Sequence, residues 1–568
     1  MKASDAVAKL LYLNNITVGF ELIGGMIAHL VDSINQLGQI NLISLHHEQA
    51  AAFAAGGVAR ATNNKKIGLA LGTSGPGATN LITGIADCWL DNYPCVFITG
   101  QVNTYELKGD KNIRQQGFQE LGIVSLVSSI TKFAVQIETL EDLLPEIQKA
   151  INIAKEGRPG PVLIDIPMDL QREEIDINFN GILKLVNCSI EKSTIAVAHF
   201  DFKKVNKLLS ESKRPLFLIG GGACNESLFT DWQEKISQLG IPHVASLKGS
   251  EKTTFVSGYL GLIGAYGTRV ANYAVQNADL LVVLGSRLDV RQTGANVGDF
   301  ARNAKNIIQI DIDTNQLNNR VVTQLGINSS CNSYFNDFIN SDLQVSCADW
   351  LETLKCLFSE TFKDEYPEFK LSPFQLVKTI SEAFKGHKAH FIPDVGNHQM
   401  WVAHTLLLDE GQKIHHSAGL GAMGFSLPTA IGIQSVTNDF VISISGDGGF
   451  HLNIQELDVI ARDQLPILII ILNNHALGMV KNFQDMYFDG RNKPTYWDGY
   501  SCSFETIGKA YNIESHNISA INAFNLLIKD YIENPRPLLI EISMENINSC
   551  KPRLAFGKPI DEQYPSEK

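Results

Sequence analysis

Short apolar runs, rich in β-branched residues, alternate with helix-length segments along most of the chain. A continuous apolar run, as opposed to an alternating one, is typical of a parallel strand covered on both faces. The pattern therefore predicts an α/β protein built from doubly wound parallel sheets, whose ligands bind at the carboxyl ends of the strands. The predicted strands are KIGLALG, CVFITG, VLIDIP, PLFLIGGG, LLVVLGS, NIIQIDID, FVISISGDG and LPILIIILNN.

Two polar stretches, at 171–195 and 358–374, interrupt this pattern and are interpreted as linkers. They leave three blocks of similar size, each long enough for a domain. We predict domains at 1–170, 190–345 and 370–548, followed by a tail at 549–568 that lies as irregular chain over a surface.

Composition narrows the possible functions. The 568 residues are 44% hydrophobic and 19% charged, and the net charge is −13, which argues against nucleic-acid binding and against an anionic membrane surface. Nine cysteines without a CxxC pair indicate reduced thiols and not a disulfide framework. No signal-peptide pattern occurs, and apolar runs of about eight residues are too short to span a membrane, so we expect a cytoplasmic protein.

The stretch GDGGFHLNIQEL suggests a metal site. Asp447 follows one predicted strand, and Asn474 follows the next one 27 positions later, as in a strand–helix–strand unit. Carboxylate and amide oxygens suit Mg²⁺, and Gly446, Gly448 and Gly449 let the backbone approach a diphosphate. A tight βα turn with a helix-capping Asp is the alternative for the GDG element alone.

The GDG element, its spacing and the Asn pair resemble the signature of thiamine diphosphate (ThDP) enzymes. The resemblance implies that Asp447, Asn474 and the backbone carbonyl of Ala476 hold Mg²⁺, which anchors the cofactor. It also implies a carboxylate, from another domain, that bonds the cofactor's pyrimidine and controls its proton. Glu48, at the head of the segment EQAAAFAAGGVARA, matches that position. Alone, an acid at a helix start has a simpler explanation in the helix dipole.

Further motifs resemble the acetolactate synthase branch of this family, in its order. They are HHEQAAAFAAGGVARA, TSGPGATNLITGIADCWLDNYPCVFITGQV, GFQE, TK, GRPGPVLIDIP, LGSRLDVRQTG, DVGNHQMW, GLGAMGFSLPTAIG and LNNHALGMV. The resemblance implies roles for Gly25 in the active-site turn; Phe118 and Gln119 beside the substrate; Val395, Gly396, Asn397 and His398 beside the diphosphate; Gly421 and Met423 against the pyrimidine; and Met479 and Val480 beside the thiazolium.

The middle block resembles an FAD-binding domain. In the acetolactate synthase branch, the resemblance implies a flavin that undergoes no net oxidation or reduction during the reaction. A relic domain without flavin is the alternative. The residues implied as flavin contacts are Arg158, Gly220, Gly221, Gly222, Ser246, Leu247, Arg287, Asp289, Arg291, Asp311, Gln399 and Met400.

Three positions around the expected acceptor pocket depart from the branch pattern. Met168 stands where a Lys is usual, Val290 where an Asp is usual, and Phe483 where a Trp is usual, whereas Arg291 remains. The donor side is intact, so we expect pyruvate as donor and an acceptor that differs from a 2-oxo acid. KGDKNIRQQGFQE, PMDLQREEI and PRLAFGKPIDEQYP resemble carboligases of branched deoxysugars such as yersiniose, which implies a 4-keto deoxysugar nucleotide as acceptor.

Two other activities stay open. The first is an ordinary acetolactate synthase, which joins two 2-oxo acids, and the second is a pyruvate decarboxylase or oxidase. In the family, the pyrimidine domain of one subunit faces the diphosphate domain of another, which implies a homodimer or homotetramer.

Overall fold

The structure is a computed structural model that describes residues 1–187, 202–497, 499–500, 502–544, 547, 549–555 and 557–566. Three features of the sequence lie outside the described residues. They are Cys188, the second part of the first predicted linker, and the predicted start of the second domain at 190. The described parts form three parallel six-stranded sheets and one small antiparallel pair.

The first sheet is entirely parallel, in the order β2-β1-β3-β4-β6-β5. Its strands are β1 Val18–Leu22, β2 Asn41–Ser44, β3 Gly68–Gly72, β4 Cys95–Gln101, β5 Phe133–Gln136 and β6 Val162–Pro167. Its helices are α1 Ala3–Leu13, α2 Ala28–Leu37, α3 Glu48–Ala61, α4 Pro76–Asn80, α5 Ile82–Asp91, α6 Ile123–Val127, α7 Leu140–Lys155, α8 Met168–Arg172 and α9 Phe179–Asn187.

The second sheet is also parallel, in the order β12-β11-β10-β7-β8-β9. Its strands are β7 Pro215–Ile219, β8 His243–Ala245, β9 Tyr259–Leu262, β10 Leu280–Leu284, β11 Asn306–Asp311 and β12 Leu325–Asn328. Its helices are α10 Lys203–Glu211, α11 Gly221–Cys224, α12 Phe229–Gln238, α13 Arg269–Asn277, α14 Val290–Thr293, α15 Cys331–Ile339 and α16 Ala348–Thr361.

The third sheet has the parallel order β14-β13-β15-β16-β18-β17. Its strands are β13 Ala389–Pro393, β14 Gln412–Ile414, β15 Phe440–Gly446, β16 Ile467–Asn473, β17 Glu514–Ile518 and β18 Leu538–Ser543. Its helices are α17 Pro373–Ala383, α18 Asn397–Thr405, α19 Ser426–Gln434, α20 Asp447–Phe450, α21 Leu457–Arg462, α22 Gly478–Tyr487, α23 Phe504–Ala510 and α24 Ile521–Glu533.

The predicted fold class is confirmed, and every strand predicted from an apolar run is present. The first and third sheets share one topology, because their strands follow the same order when each is numbered from its own start. The second sheet read from its other edge, β9-β8-β7-β10-β11-β12, has the 3-2-1-4-5-6 order of dinucleotide-binding folds.

The polar stretches are more ordered than the linker interpretation expects. The first contains helix α9, whose Ile182 is fully buried against the first domain, and α16 extends through the start of the second as far as residue 361. The tail forms a two-stranded pair, β19 Arg553–Leu554 and β20 Gln563–Tyr564, and buries Ile560 in the core of the central domain. The sequence pattern did not indicate this order, because each segment is mostly polar and is anchored by only a few apolar residues. The predicted domain limits remain predictions.

Helices α3 and α19 join the first and third domains through one shared apolar core. The contact is too close for side chains at two positions. A Cβ on Gly432 would lie 2.0 Å from the carbonyl oxygen of Ala54, and a Cβ on Gly57 would lie 2.6 Å from that of Thr429. These glycines therefore set the separation of the two helices.

The eight cysteines that the structure describes are all free, as expected for reduced thiols. Among the described residues, no helix combines the length and the apolar character needed to cross a membrane.

We predict that Gly432→Ala lowers the urea midpoint of unfolding. The added methyl group forces α3 and α19 apart, and overpacking of this kind costs about 1–3 kcal/mol. Gly298→Ala is the matched control, because that position is exposed and its nearest neighbouring atom would lie at 3.4 Å. Equal midpoints for both variants, measured by circular dichroism, would contradict the close helix contact.

Candidate active site

The carboxyl ends of β15 and β16 bring the predicted metal ligands together. The two strands pair in parallel up to Gly446 and Leu472, so the residues that follow lie side by side. The Ala476 N–H donates to Asp447 Oδ2 at 3.0 Å, and Asn474 Nδ2 donates to the Ile547 carbonyl at 2.9 Å. Asp447 is only 1% exposed, so its carboxylate lies inside the site and not on a surface turn.

Glycines keep space open around these groups. A Cβ on Gly478 would lie 2.6 Å from Asn474 Nδ2 and 2.9 Å from Asn397 Nδ2. Asn397 is buried, and its Nδ2 has no hydrogen-bond partner among the described residues. A buried, unpartnered amide beside a glycine-lined space indicates a group to be bound there. A diphosphate has the acceptor oxygens that this donor requires.

The electrostatics fit a cation. Burial raises the pKa of Asp447 to about 6, although the Tyr500 hydroxyl and backbone N–H groups bond to the carboxylate. A divalent ion would offset that burial and favour the ionised form. The described residues contain no group of three or more His, Cys, Asp or Glu side chains suited to a metal. The predicted set does not need one, since it has one carboxylate, one amide and one carbonyl.

Several other predicted cofactor contacts of the third domain lie close to these groups. His398 accepts from the Gly446 N–H at 3.3 Å, and burial lowers its pKa to about 3, so the ring is neutral. Gly421, which has a φ of 70°, lies near Val395, whose Cγ1 would be 3.9 Å from a Cβ there. Met423 Cε would lie 3.6 Å from a Cβ on Gly448. Gly396 precedes α18, Gly449 lies beside Asp394, and Met479 and Val480 are in the first turn of α22.

Sequence reasoning missed Asp394 and Tyr500. Asp394 is buried at the end of β13, and it accepts from the N–H groups of Val395 at 2.6 Å, Gly424 at 3.0 Å and Ser426 at 3.2 Å. It therefore ties a strand end to the turn that carries Gly421 and Met423. An Asp at a strand end was the available signal. Tyr500 donates to Asp447 Oδ2 at 3.0 Å from an irregular loop, and nothing in the local pattern marks it.

Glu48 and its neighbours form a second group in the first domain. Glu48 opens α3 and is 6% exposed, and its Oε2 accepts from Asn80 Nδ2 at 2.9 Å. A Cβ on Gly77 would lie 3.2 Å from Glu48 Oε1. The glycine-rich turn GTSGPGATNL therefore encloses this carboxylate.

The other predicted residues of the first domain lie around the same turn. Gly75 packs closely against Gln119, because a Cβ added to the glycine would lie 3.0 Å from the Cβ of Gln119. The backbone of Gln119 is left-handed, with a φ of 64°. Such a conformation is costly for a non-glycine residue and occurs often at functional sites. Phe118 is 79% exposed. Gly25 opens a short 3-10 helix, and the next residue, Met26, donates its N–H to Thr73 Oγ1 at 3.3 Å.

A cavity of about 650 Å³ lies where the three domains meet. It opens at the strand ends on both sides of the β7–β10 junction, which is the switch point of the second sheet. Ten of the twelve predicted flavin contacts line it, namely Arg158, Gly221, Gly222, Ser246, Leu247, Arg287, Asp289, Arg291, Asp311 and Met400. Gly220 instead allows close packing on Gly285, and Gln399 is buried with an unpartnered Nε2 among the described residues.

The described lining of the cavity contains two of the four predicted acceptor residues. Val290 and Arg291 line the cavity, whereas the described lining includes neither Met168 nor Phe483. Met168 opens α8, and Phe483 packs against the rings of Tyr487 and Phe488 at centroid distances of 4.6 and 5.8 Å. A single acceptor pocket formed by these residues therefore stays a prediction.

Comparison with known proteins identifies the family. Three family models match in chain order: the N-terminal thiamine pyrophosphate (ThDP) binding domain at residues 1–126, the central domain at 202–337 and the C-terminal thiamine pyrophosphate binding domain at 394–542. The acetolactate synthase large subunit of Cyanidium caldarium is 34% identical over 94% of this chain and 92% of its own. The chain belongs to the thiamine diphosphate enzymes.

Other relatives of this thiamine diphosphate enzyme carry similar names. The large subunit of acetolactate synthase isozyme 2 of Escherichia coli K12 is 32% identical over 99% of each chain. A probable acetolactate synthase large subunit of Methanocaldococcus jannaschii is 34% identical over 96% of this chain and 92% of its own. These relatives support acetolactate synthase-like chemistry, and they give no support to the deoxysugar branch expected from the sequence.

We predict that Asp447→Ala weakens binding of Mg²⁺–ThDP to this thiamine diphosphate enzyme. Changes around a metal typically cost 10–100-fold in affinity, so loss of a ligand is expected to cost at least about tenfold. Asp463→Asn, on the surface beyond α21, serves as the control. Unchanged affinity of Asp447→Ala in calorimetry would refute the metal role.

Proposed function

We propose that this chain is the catalytic chain of an acetolactate synthase, which converts two pyruvate molecules into one acetolactate and one carbon dioxide. The observation that carries the proposal is the convergence of Asp447, Ala476, Asn474 and the unpartnered Asn397 at one sheet edge. It occurs in a chain whose nearly full-length relatives are named acetolactate synthases.

The residues of the site divide the work between two domains. When bound, ThDP supplies the carbon nucleophile for the keto group of pyruvate and accommodates the electron pair left by decarboxylation. Asp447, the Asn474 side chain and the Ala476 carbonyl would hold its Mg²⁺. Glu48 would hold a proton at a pyrimidine nitrogen, a task suited to a carboxyl that is nearly excluded from water. Gln119 would border the donor pocket.

We further propose that the central domain binds FAD. Its strand order is that of dinucleotide-binding folds, and the cavity opens at its switch point. Gly221 and Gly222 follow β7 there, as close approach to a pyrophosphate requires. Asp311 lies at the end of β11, where its carboxylate could accept from a ribose or ribityl hydroxyl group.

A second copy of the chain is the proposed partner, in a homodimer or homotetramer. Large apolar side chains near the predicted site are exposed in the single chain, including Phe118 at 79%, Val480 at 51% and Phe483 at 50%. A second copy that covered these side chains would remove their apolar surface from water. Glu48 and Met423 also belong to different domains, which fits an active site shared between two copies.

The acceptor is proposed to be a 2-oxo acid. Arg291 lines the cavity, where its guanidinium could receive an acceptor carboxylate. The substitutions at 168, 290 and 483 keep a 4-keto deoxysugar nucleotide as the second candidate, because its phosphates could occupy the same arginine. The names of the relatives favour the 2-oxo acid.

Product analysis with labelled pyruvate tests this choice. The enzyme is supplied with ThDP, Mg²⁺ and FAD, once with pyruvate alone and once with a CDP-linked 3,6-dideoxy-4-keto hexose in addition. We expect rapid formation of acetolactate in both reactions and an unlabelled sugar. Transfer of a labelled two-carbon unit to the sugar, with little acetolactate from pyruvate alone, would overturn the proposal in favour of the second candidate.

We predict that Glu48→Gln slows proton exchange at the thiazolium carbon of bound ThDP. Loss of a positioned proton-transfer group typically costs 10²–10⁴-fold, so the exchange rate should fall by about 100-fold or more. Binding of Mg²⁺–ThDP should persist, since Glu48 lies outside the metal site. Exchange is followed by NMR.

Glu21→Gln provides the matched control for that measurement. Glu21 is a 3% exposed carboxyl in β1 of the same domain, and it accepts from the Ser44 hydroxyl. The control should keep the native exchange rate. A native rate in Glu48→Gln would refute the proton-control role.

A further inference from the structure

A buried group of five charged side chains lies at the junction of the three domains. We call Arg60, Asp87, Asp91, Lys248 and Glu251 the junction cluster. Four of them are at most 4% exposed, and the Lys248 side chain is 15% exposed where it lines the cavity. Buried charges are unfavourable unless they are paired, so their pairing constrains the geometry strongly.

The cluster joins the first and central domains. Arg60, in the last turn of α3, contacts Asp87 Oδ2 at 2.6 Å and Asp91 Oδ2 at 3.1 Å, both from α5. Lys248 lies shortly after β8 in the chain. Its Nζ contacts Glu251 Oε1 at 2.9 Å and Asp91 Oδ2 at 3.6 Å. Asp91 is therefore shared between one cation from each domain.

Four of these side chains, all except Lys248, hold a segment of the third domain, residues 416–419, mostly through its backbone. Arg60 Nη1 donates to the backbone carbonyl of His416 at 2.7 Å, and the backbone N–H of His416 donates to Glu251 Oε1 at 2.8 Å. The residue 417 hydroxyl donates to Asp87 at 2.5 Å. The N–H groups of residues 418 and 419 donate to Asp91 at 3.1 and 2.9 Å. Two residues later the chain reaches Gly421 and then Met423.

The charges favour the ionised forms of Asp91 and Lys248. Burial alone would raise the pKa of Asp91, but Lys248, Arg60 and the two N–H groups hold it below its usual value. Burial alone would lower the pKa of Lys248, but Asp91 and Glu251 raise it above the usual lysine value. Loss of the Lys248 charge would leave Arg60 as the one cation of the cluster beside three carboxylates, and the segment would lose part of its support.

The cluster also reaches the cavity. Asp91, Lys248 and residues 418–421 are all part of the cavity lining. A ligand in the cavity therefore contacts the groups that fix the segment leading to the predicted pyrimidine contacts.

We propose that Lys248 is a positioning residue that couples occupancy of the central cavity to the conformation of residues 416–424, and thereby to ThDP binding. The proposal rests on the proposed function in one respect, namely that FAD is the ligand of the cavity. Coupling between two sites is reciprocal, so each ligand should raise the affinity of the other by the same factor.

The experiment combines calorimetry with hydrogen exchange on the full chain. Mg²⁺–ThDP is titrated into flavin-free and FAD-loaded protein, and amide exchange of residues 416–424 is measured in both forms. In the native protein, FAD should tighten ThDP binding at least about fivefold, the lower end of typical coupling, and should slow exchange in that segment. In Lys248→Met, the factor by which FAD tightens ThDP binding should fall towards one. Amide exchange of residues 416–424 should be faster than in the native protein even without ligands.

Two variants separate positioning from general destabilisation. Lys248→Arg keeps the charge and should restore most of the coupling. Arg269→Met removes an ion pair outside the junction cluster, with Glu365 at 3.0 Å, and should leave coupling and exchange of 416–424 unchanged. If Lys248→Met fails to fold by circular dichroism, Lys248→Met/Glu251→Gln replaces it, since it removes one charge of each sign.

The outcomes are distinguishable from those of the proposed function. A native coupling factor of one, native coupling in the Lys248 variant, or equal exchange in that variant and the native protein would each overturn the proposal. Absence of flavin binding would overturn it as well. None of these readouts depends on which product is formed, so formation of acetolactate can succeed or fail independently.

Discussion

The close contact between α3 and α19 is the constraint on which the candidate site depends. Gly57 and Gly432 bring the two helix backbones together inside the core shared by the first and third domains. Helix α3 begins at Glu48, and α19 begins directly after the turn that Asp394 holds at Gly424 and Ser426. One apolar contact thus fixes two helix starts that carry predicted cofactor groups, because a helix is rigid over so few turns.

Topology explains why the chemistry is divided among three domains. The first and third sheets repeat one strand order, and each presents a set of glycine-rich turns at its carboxyl edge. The central sheet has a different order, whose switch point opens the cavity between strands β7 and β10. Two similar sheets can approach one cofactor from opposite sides, while the central sheet supplies a separate crevice that shares a wall with the third domain.

Sequence alone predicted the fold class and the best-defined strands, because long buried parallel strands leave continuous apolar runs. Shorter or edge strands such as β2, β12 and β14 have only three or four residues and leave no such record. The location of Asp447 and Asn474 at neighbouring strand ends was predictable, because each follows a long apolar run. The junction cluster was not, since Arg60, Asp91 and Lys248 are far apart in sequence and each alone is typical of an exposed polar position. Only the packing of three domains removes them from water.

The acceptor is the least predictable part of the chemistry for a structural reason. The groups predicted to hold the metal lie at the ends of the inner strands β15 and β16, where the register of a buried sheet fixes them. Met168, Val290 and Phe483 lie instead on the helices α8, α14 and α22, and the side chains of the last two are about half exposed. Substitutions there disturb little of the core, so they can accumulate with or without a change of substrate. Three altered residues on such helices therefore carry less weight than relatives that match nearly the whole chain.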